Sequence, residues 1–209
     1  MVHIVTFYST ERSDERETLE VPKDTGVNMR RKTLDLLLVW LGALLTLMLL
    51  VAGSGLLYGS NFTTASVKTQ LSQQKVYFDN EAALKAEGPA VSTYLDQYAG
   101  KQLLTGVEAQ AYANHFIQVH LDAIDSGKTY AQASTACDLA PTVTCNAQDQ
   151  LLFEGSTTRG LLLNAYAFGT IATIAMFAAF AAFALALFML VLTLLGLRHY
   201  RRTDPTDVV

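Results

Sequence analysis

Charge is scarce in this chain. Only 16% of its 209 residues are Asp, Glu, Lys or Arg, against 51% that are hydrophobic, whereas a soluble domain carries about 25% charged residues. The deficit is local: residues 34–59 hold one charge, Asp35, and residues 161–197 hold none. Also missing are strand signals. No Val/Ile/Thr run alternates with polar residues and no Asn-Gly turn joins apolar segments, which excludes a sheet-rich fold and a membrane β-barrel. There is no Gly-rich phosphate loop, no GxSxG elbow and no CxxC pair, so no catalytic residues, cofactor or metal are expected. The basic residues cluster without interleaved aromatics, which argues against a nucleic-acid partner.

What is present is two apolar runs. A hydrocarbon core about 30 Å thick needs about 20 helical residues, and both runs exceed that. They predict an all-α membrane protein: transmembrane helix 1 over residues 34–59, a helical insert over 60–158, and a long helix over 159–197 that includes transmembrane helix 2. The second run would reach about 55 Å as one helix, so its embedded part is placed near 171–197. Residues 161–170 are expected to emerge at the interface, with Asn164 and Tyr166 among headgroups.

Orientation follows from the flanks. Arg30, Arg31 and Lys32 precede the first run, and Arg198, Arg201 and Arg202 follow the second. Between them, residues 60–158 carry five lysines and ten acids. Basic residues stay on the cytoplasmic side, so both tails, 1–33 and 198–209, are expected in the cytoplasm, with the insert outside the plasma membrane. The first run is too long for a signal-peptide core of 7–15 residues and reads as an uncleaved anchor, although the small triplets Val51-Ala52-Gly53 and Gly53-Ser54-Gly55 resemble cleavage sites. Residues 1–28 hold six acids and three basic residues and read as a disordered tail. Met29, followed by Arg30, Arg31 and Lys32, is an alternative start.

Turn residues divide the insert into helices. The first anchor is expected to continue outward over 62–78. Asp79 or Asn80 would cap a short helix ending at Gly88-Pro89, and 90–98 forms another, closed by Gly100. Thr105 and Glu108 form a T-x-x-E capping box, followed by a helical stripe of Ala109, Tyr112, Phe116, Val119 and Ala123 ending near Gly127. Residues 129–136 form a short helix, and 148–153 lead back into the second anchor. Cys137 and Cys145, outside the cytoplasm and eight residues apart, read as a disulfide.

The remaining candidates have plain readings. His115 and His120 are five apart rather than the four a helical zinc pair requires, which places their rings about 140° apart and suits surface histidines. Asp35 reads as a carboxylate favoured by the dipole at a helix N-terminus. Asn61-Phe62-Thr63 matches a glycosylation sequon but lies against the membrane. In the second anchor Ala178, Ala182 and Ala186 recur every four residues, with Ala175 and Ala179 on an adjoining row. Gly53 and Gly55 lie in the first. Small residues let helices approach closely in lipid, and a two-anchor chain leaves faces over, so these rows are read as packing against a partner.

Residues 105–121 (TGVEAQAYANHFIQVHL), 127–131 (GKTYA) and 159–168 (RGLLLNAYAF) resemble a family of uncharacterised two-span membrane proteins of high-GC Gram-positive bacteria over roughly 34–200. Some members carry a ring-opening dioxygenase label. The two-His-one-carboxylate triad that such chemistry needs is not evident here. By architecture and lineage the chain also resembles the small accessory subunits of actinobacterial cytochrome bc–cytochrome oxidase supercomplexes. The function expected is therefore a non-enzymatic accessory subunit of a larger integral membrane complex, in contact with lipids and acting on no small-molecule substrate. The alternative is an outer ligand- or lipid-binding sensor, for which the short tails offer no output module.

Overall fold

A computed structural model describes residues 31–202, with side chains from residue 33 onward. The tail before Arg31, including Met29 and Arg30, and the stretch after Arg202 lie outside the described residues, as do the side chains of Arg31 and Lys32. Among the described residues the chain is helical, and its sole extended pairing is an isolated antiparallel bridge between Tyr77 and Gln102.

Two helices dominate. Helix α1 (Arg31–Gln74) has 44 residues and α7 (Val143–Tyr200) has 58, so at 1.5 Å per residue they extend about 66 and 87 Å. Both are long and apolar enough to cross a membrane. Only 17% of the most apolar stretch of α1, and 11% of that of α7, is buried within the chain. The core helix of a soluble protein would be mostly buried, so the apolar faces here need another cover.

The two helices run antiparallel. Val39 lies beside Gly196, Gly42 beside Thr193 and Gly53 beside Phe183. Farther along, the Ser60 hydroxyl donates to the Ala172 carbonyl at 2.7 Å. The buried positions Gly42, Thr46, Gly53 and Ser60 on α1 meet Ala172, Ala179 and Ala186 on α7. These recur at seven-residue intervals or fractions of them, the period of a left-handed helix pair.

Helix α7 is longer than the sequence suggests. The stretch expected to be a separate lead-in, 148–153, is an early turn of the same helix, which starts at Val143 with the Thr142 hydroxyl accepting from Cys145 N–H. No proline interrupts it, and Gly155, Gly160 and Gly169 are tolerated in its interior. Helix α1 is shorter than expected. It ends at Gln74, where Lys75 turns left-handed at φ 54°. Phe78 therefore lies off the helix, its N–H donating to the Lys101 carbonyl.

Between the two long helices the chain builds a small head. Helix α2 (Glu81–Ala86) is capped by Asn80, whose side chain accepts from Ala83 N–H. Gly88, at φ 95°, turns the chain into α3 (Pro89–Leu95), and a 3₁₀ turn runs over Asp96–Tyr98. Helix α4 (Gly106–Tyr112) begins with the predicted box: the Thr105 hydroxyl accepts from Glu108 N–H, and the Glu108 carboxylate accepts from Thr105 N–H. A π-helical segment (Ala113–Ile117) joins it to α5 (Gln118–Ala123). Left-handed Asp125 and Ser126 reverse the chain into α6 (Tyr130–Leu139), which opens with a second box between Thr129 and Gln132.

The π segment corrects the predicted stripe. Its bonds close over five residues rather than four, which lengthens the repeat locally. Ala109, Ala113 and Leu121 are buried, and Ile117 packs half-buried between them. Ala123, expected on this face, is exposed. Leu71, Phe78, Leu84, Val91, Leu95 and Leu103 complete the main core against Leu162 of α7.

Candidate interaction surfaces

The head is clamped onto the helix pair at a glycine crossing. A Cβ on Gly106 would lie 2.9 Å from the Ala165 carbonyl oxygen and 3.0 Å from Tyr166 Cα, both backbone atoms of α7, and Gly169 stands opposite. Close backbone approach explains glycine at this first position of α4. A second tie runs from Arg159 of α7, whose Nη2 donates to Asn114 in the π segment at 2.9 Å. A third is the disulfide between Cys137 and Cys145, which joins the end of α6 to the first turn of α7 with 5.6 Å between Cα atoms.

That disulfide closes a short loop whose tip is apolar. Leu139 is 83% and Val143 88% exposed, the two most exposed large hydrophobic side chains among the described residues. Held between a buried Cys137 and the start of a rigid helix, they cannot fold back onto the core. From the level of Ala172 to Val143, α7 rises about 43 Å, so this tip is the part of the head farthest from the apolar stretches.

The long helices present a second kind of surface. Trp40 and Tyr58, 68% and 74% exposed, are eighteen residues apart, which is five turns. They lie on one face about 27 Å apart, close to the thickness of a bilayer core. Tyr58 stacks on Phe62 one turn farther along.

The packing residues expected from sequence divide three ways. Gly53, Ala179 and Ala186 are buried in the α1–α7 seam. Ala175 and Ala182 are half-buried at its edge. Ala178 and Gly55 face outward, and nothing lies within 4 Å of a Cβ added at Gly55. The row of small residues thus serves the chain's own hairpin with a period of seven, and the spacing of four read from the sequence mixes two faces. Ala172, Gly42, Thr46 and Ser60, the seam members missed, carry that seven-residue signal. Arg198, Arg201 and Arg202 are exposed at the end of α7.

Asp35 lies one turn inside the described start of α1. Its carboxylate lies 4.0 Å from His199 Nε2 on α7, in a crevice of about 230 Å³ left by the small side chains of Gly42, Thr193 and Gly196. This contact between helices stands beside the helix-end role expected of Asp35.

The head's titratable groups serve packing. His115 stacks on Tyr94, with centroids 3.7 Å apart. His120 places Nδ1 2.8 Å from the Phe116 carbonyl and Nε2 3.2 Å from the Glu87 carboxylate. Among the described residues no group of three or more His, Cys, Asp or Glu is placed to hold a metal ion. Tyr112 stacks on Phe116 and meets Phe78 edge-on. Burial, and secondarily the Asp79 carboxylate, push its phenol above the ordinary tyrosine value. At the surface Lys85 and Glu81 pair, the hydrogen bond and the charge together lowering the Glu81 carboxyl and raising the Lys85 ammonium.

Comparison with protein-family models, with curated proteins and with solved structures finds no match.

Proposed function

We propose that the chain is a two-pass plasma-membrane protein that serves as a non-enzymatic structural subunit of a larger membrane assembly. Its termini lie in the cytoplasm and its head outside. The orientation rests on basic residues at the outer ends of both apolar runs and on an acidic head between them. The aromatic spacing of Trp40 and Tyr58 agrees with a bilayer between those levels.

One observation carries the assembly reading: the apolar tip at Leu139 and Val143. Two branched side chains, 83% and 88% exposed on a disulfide-closed loop, support a docking role, since such side chains contribute most when buried against a partner. On the two-pass reading, their height favours a protein over lipid as that cover. Even with a 20° tilt of α7, common for such helices, the tip stands about 40 Å above the level of Ala172. The partner is therefore a protein that itself rises that far from the membrane. A respiratory assembly is the partner that the sequence resemblance suggests.

The test is purification of the tagged full chain in mild detergent, with and without Leu139→Asp and Val143→Asp. A stoichiometric larger complex that the double variant loses, with its circular dichroism unchanged, is the expected result. Recovery of the unaltered chain alone, or a complex indifferent to the tip, removes the reading.

A further inference from the structure

Beneath the head, where the 104–107 segment crosses the helix pair, lies a crevice of about 250 Å³ between α1 and α7. Its lower walls are Thr64 and Thr173, its roof is Leu104 and Val107, and Gly169 forms part of its back. Val107 is 60% exposed although it sits on the head's underside. Lys68 stands at the mouth.

The level of this crevice is informative. Thr64 lies six residues beyond Tyr58 on α1 and Lys68 ten, about 9 and 15 Å farther along the helix. With Tyr58 at the edge of the hydrocarbon, Thr64 falls within the adjoining headgroup layer and Lys68 at its upper margin, within reach of a flexible side chain.

The charge is equally specific. Of the head's cations, Lys85 pairs with Glu81, Lys128 with Asp125, and Arg159 donates to Asn114. Lys101 donates to the Gln97 carbonyl. Lys68 has no ion pair among the described residues. The acid nearest in sequence to the roof, Glu108, is turned onto the Leu104 and Thr105 N–H groups at 2.8 and 2.9 Å. Exposed Lys75 likewise has no ion pair among the described residues but lies beyond the end of α1, so Lys68 is the unpaired lysine that lines the apolar slot.

We infer that this crevice seats an anionic phospholipid, its phosphate against Lys68 beneath the Leu104 and Val107 roof and its glycerol beside the Thr64 hydroxyl, with the acyl chains descending toward the hydrocarbon. The lipid wedges between the head and the helix pair and fixes the head's height above the membrane. The inference rests on the two-pass reading but not on any partner protein.

Native mass spectrometry of the isolated full chain, equilibrated with a mixture of phosphatidylglycerol and phosphatidylcholine in mild detergent, tests it. The unaltered chain retains phosphatidylglycerol preferentially, Lys68→Ala retains about fivefold less, and Lys75→Ala, one helical stretch higher, retains it fully. Val107→Trp, which fills the slot, also sheds the lipid while keeping its circular dichroism. Equal retention of the two lipids, or retention indifferent to Lys68→Ala, overturns the inference. A chain that stays dispersed without detergent and binds neither lipid overturns the two-pass reading and this inference with it.

Discussion

Replacing Gly106 with alanine isolates the contact that holds the head to the long helices. Alanine is favoured over glycine in a helix interior by about 0.8–1.0 kcal/mol, and Gly106, as the first residue of α4, would gain at most that, so propensity alone predicts a small gain. The structure predicts a loss. The new methyl would lie 2.9 Å from the Ala165 oxygen and 3.0 Å from Tyr166 Cα, about 0.5 Å inside an ordinary carbon contact. Both neighbours belong to the backbone of α7 and cannot rotate away. Overpacking of this kind costs about 1–3 kcal/mol, which outweighs the propensity gain. Gly160→Ala is the internal standard, because nothing lies within 4 Å of its added Cβ and only propensity acts there. Melting of the tyrosine near-ultraviolet dichroism, which the packed Phe78, Tyr98 and Tyr112 rings provide, reads the head directly. Gly106→Ala should melt earlier than the unaltered chain and Gly160→Ala no earlier, with about 1–3 kcal/mol between the two variants. If Gly106→Ala proves as stable as Gly160→Ala, the glycine crossing is not what docks the head.

Removing the interhelical hydroxyl bond by Ser60→Ala should weaken the hairpin by about 0.6 kcal/mol and at most about 1.7, measurable by equilibrium unfolding in mixed micelles. Changing both Cys137 and Cys145 to serine opens a loop of separation 8 and should cost about 2–3 kcal/mol, seen as faster proteolysis between α6 and α7. Tyr112 should ionise later than an ordinary tyrosine, because burial and Asp79 raise its value. A raised acid favours the folded state below the unfolded value, about 10, and that stability is lost as pH rises through the folded value. Spectrophotometric titration should therefore show one lagging tyrosine, absent in Tyr112→Phe. A titration without that laggard contradicts the packing described.

The parts of the fold legible in sequence are those written in local chemistry. The two long apolar helices follow from uninterrupted apolar runs, the Thr105–Glu108 box from one spacing, and the Cys137–Cys145 bridge from two residues near a proline. What escaped is written between distant segments. The π segment at Ala113–Ile117 has no signature in propensity, yet it moves burial from Ala123 to Leu121 and brings Asn114 to Arg159. The alanines of α7 permit several periods, and only the antiparallel register against Gly42, Gly53 and Ser60 selects seven. Leu139 and Val143 look like ordinary core residues until the disulfide is seen to hold them outward.

The arrangement proposed for the membrane is tested most directly by a thiol probe that cannot cross it. The native cysteines are paired, so a cysteine introduced at exposed Tyr77 in the head, or at exposed Arg201 beyond α7, is the reactive site. In intact cells Tyr77→Cys should label fully, and Arg201→Cys only after the membrane is opened. Labelling of Arg201→Cys in intact cells, or protection of Tyr77→Cys, would place the head on the wrong side and contradict the two-pass account.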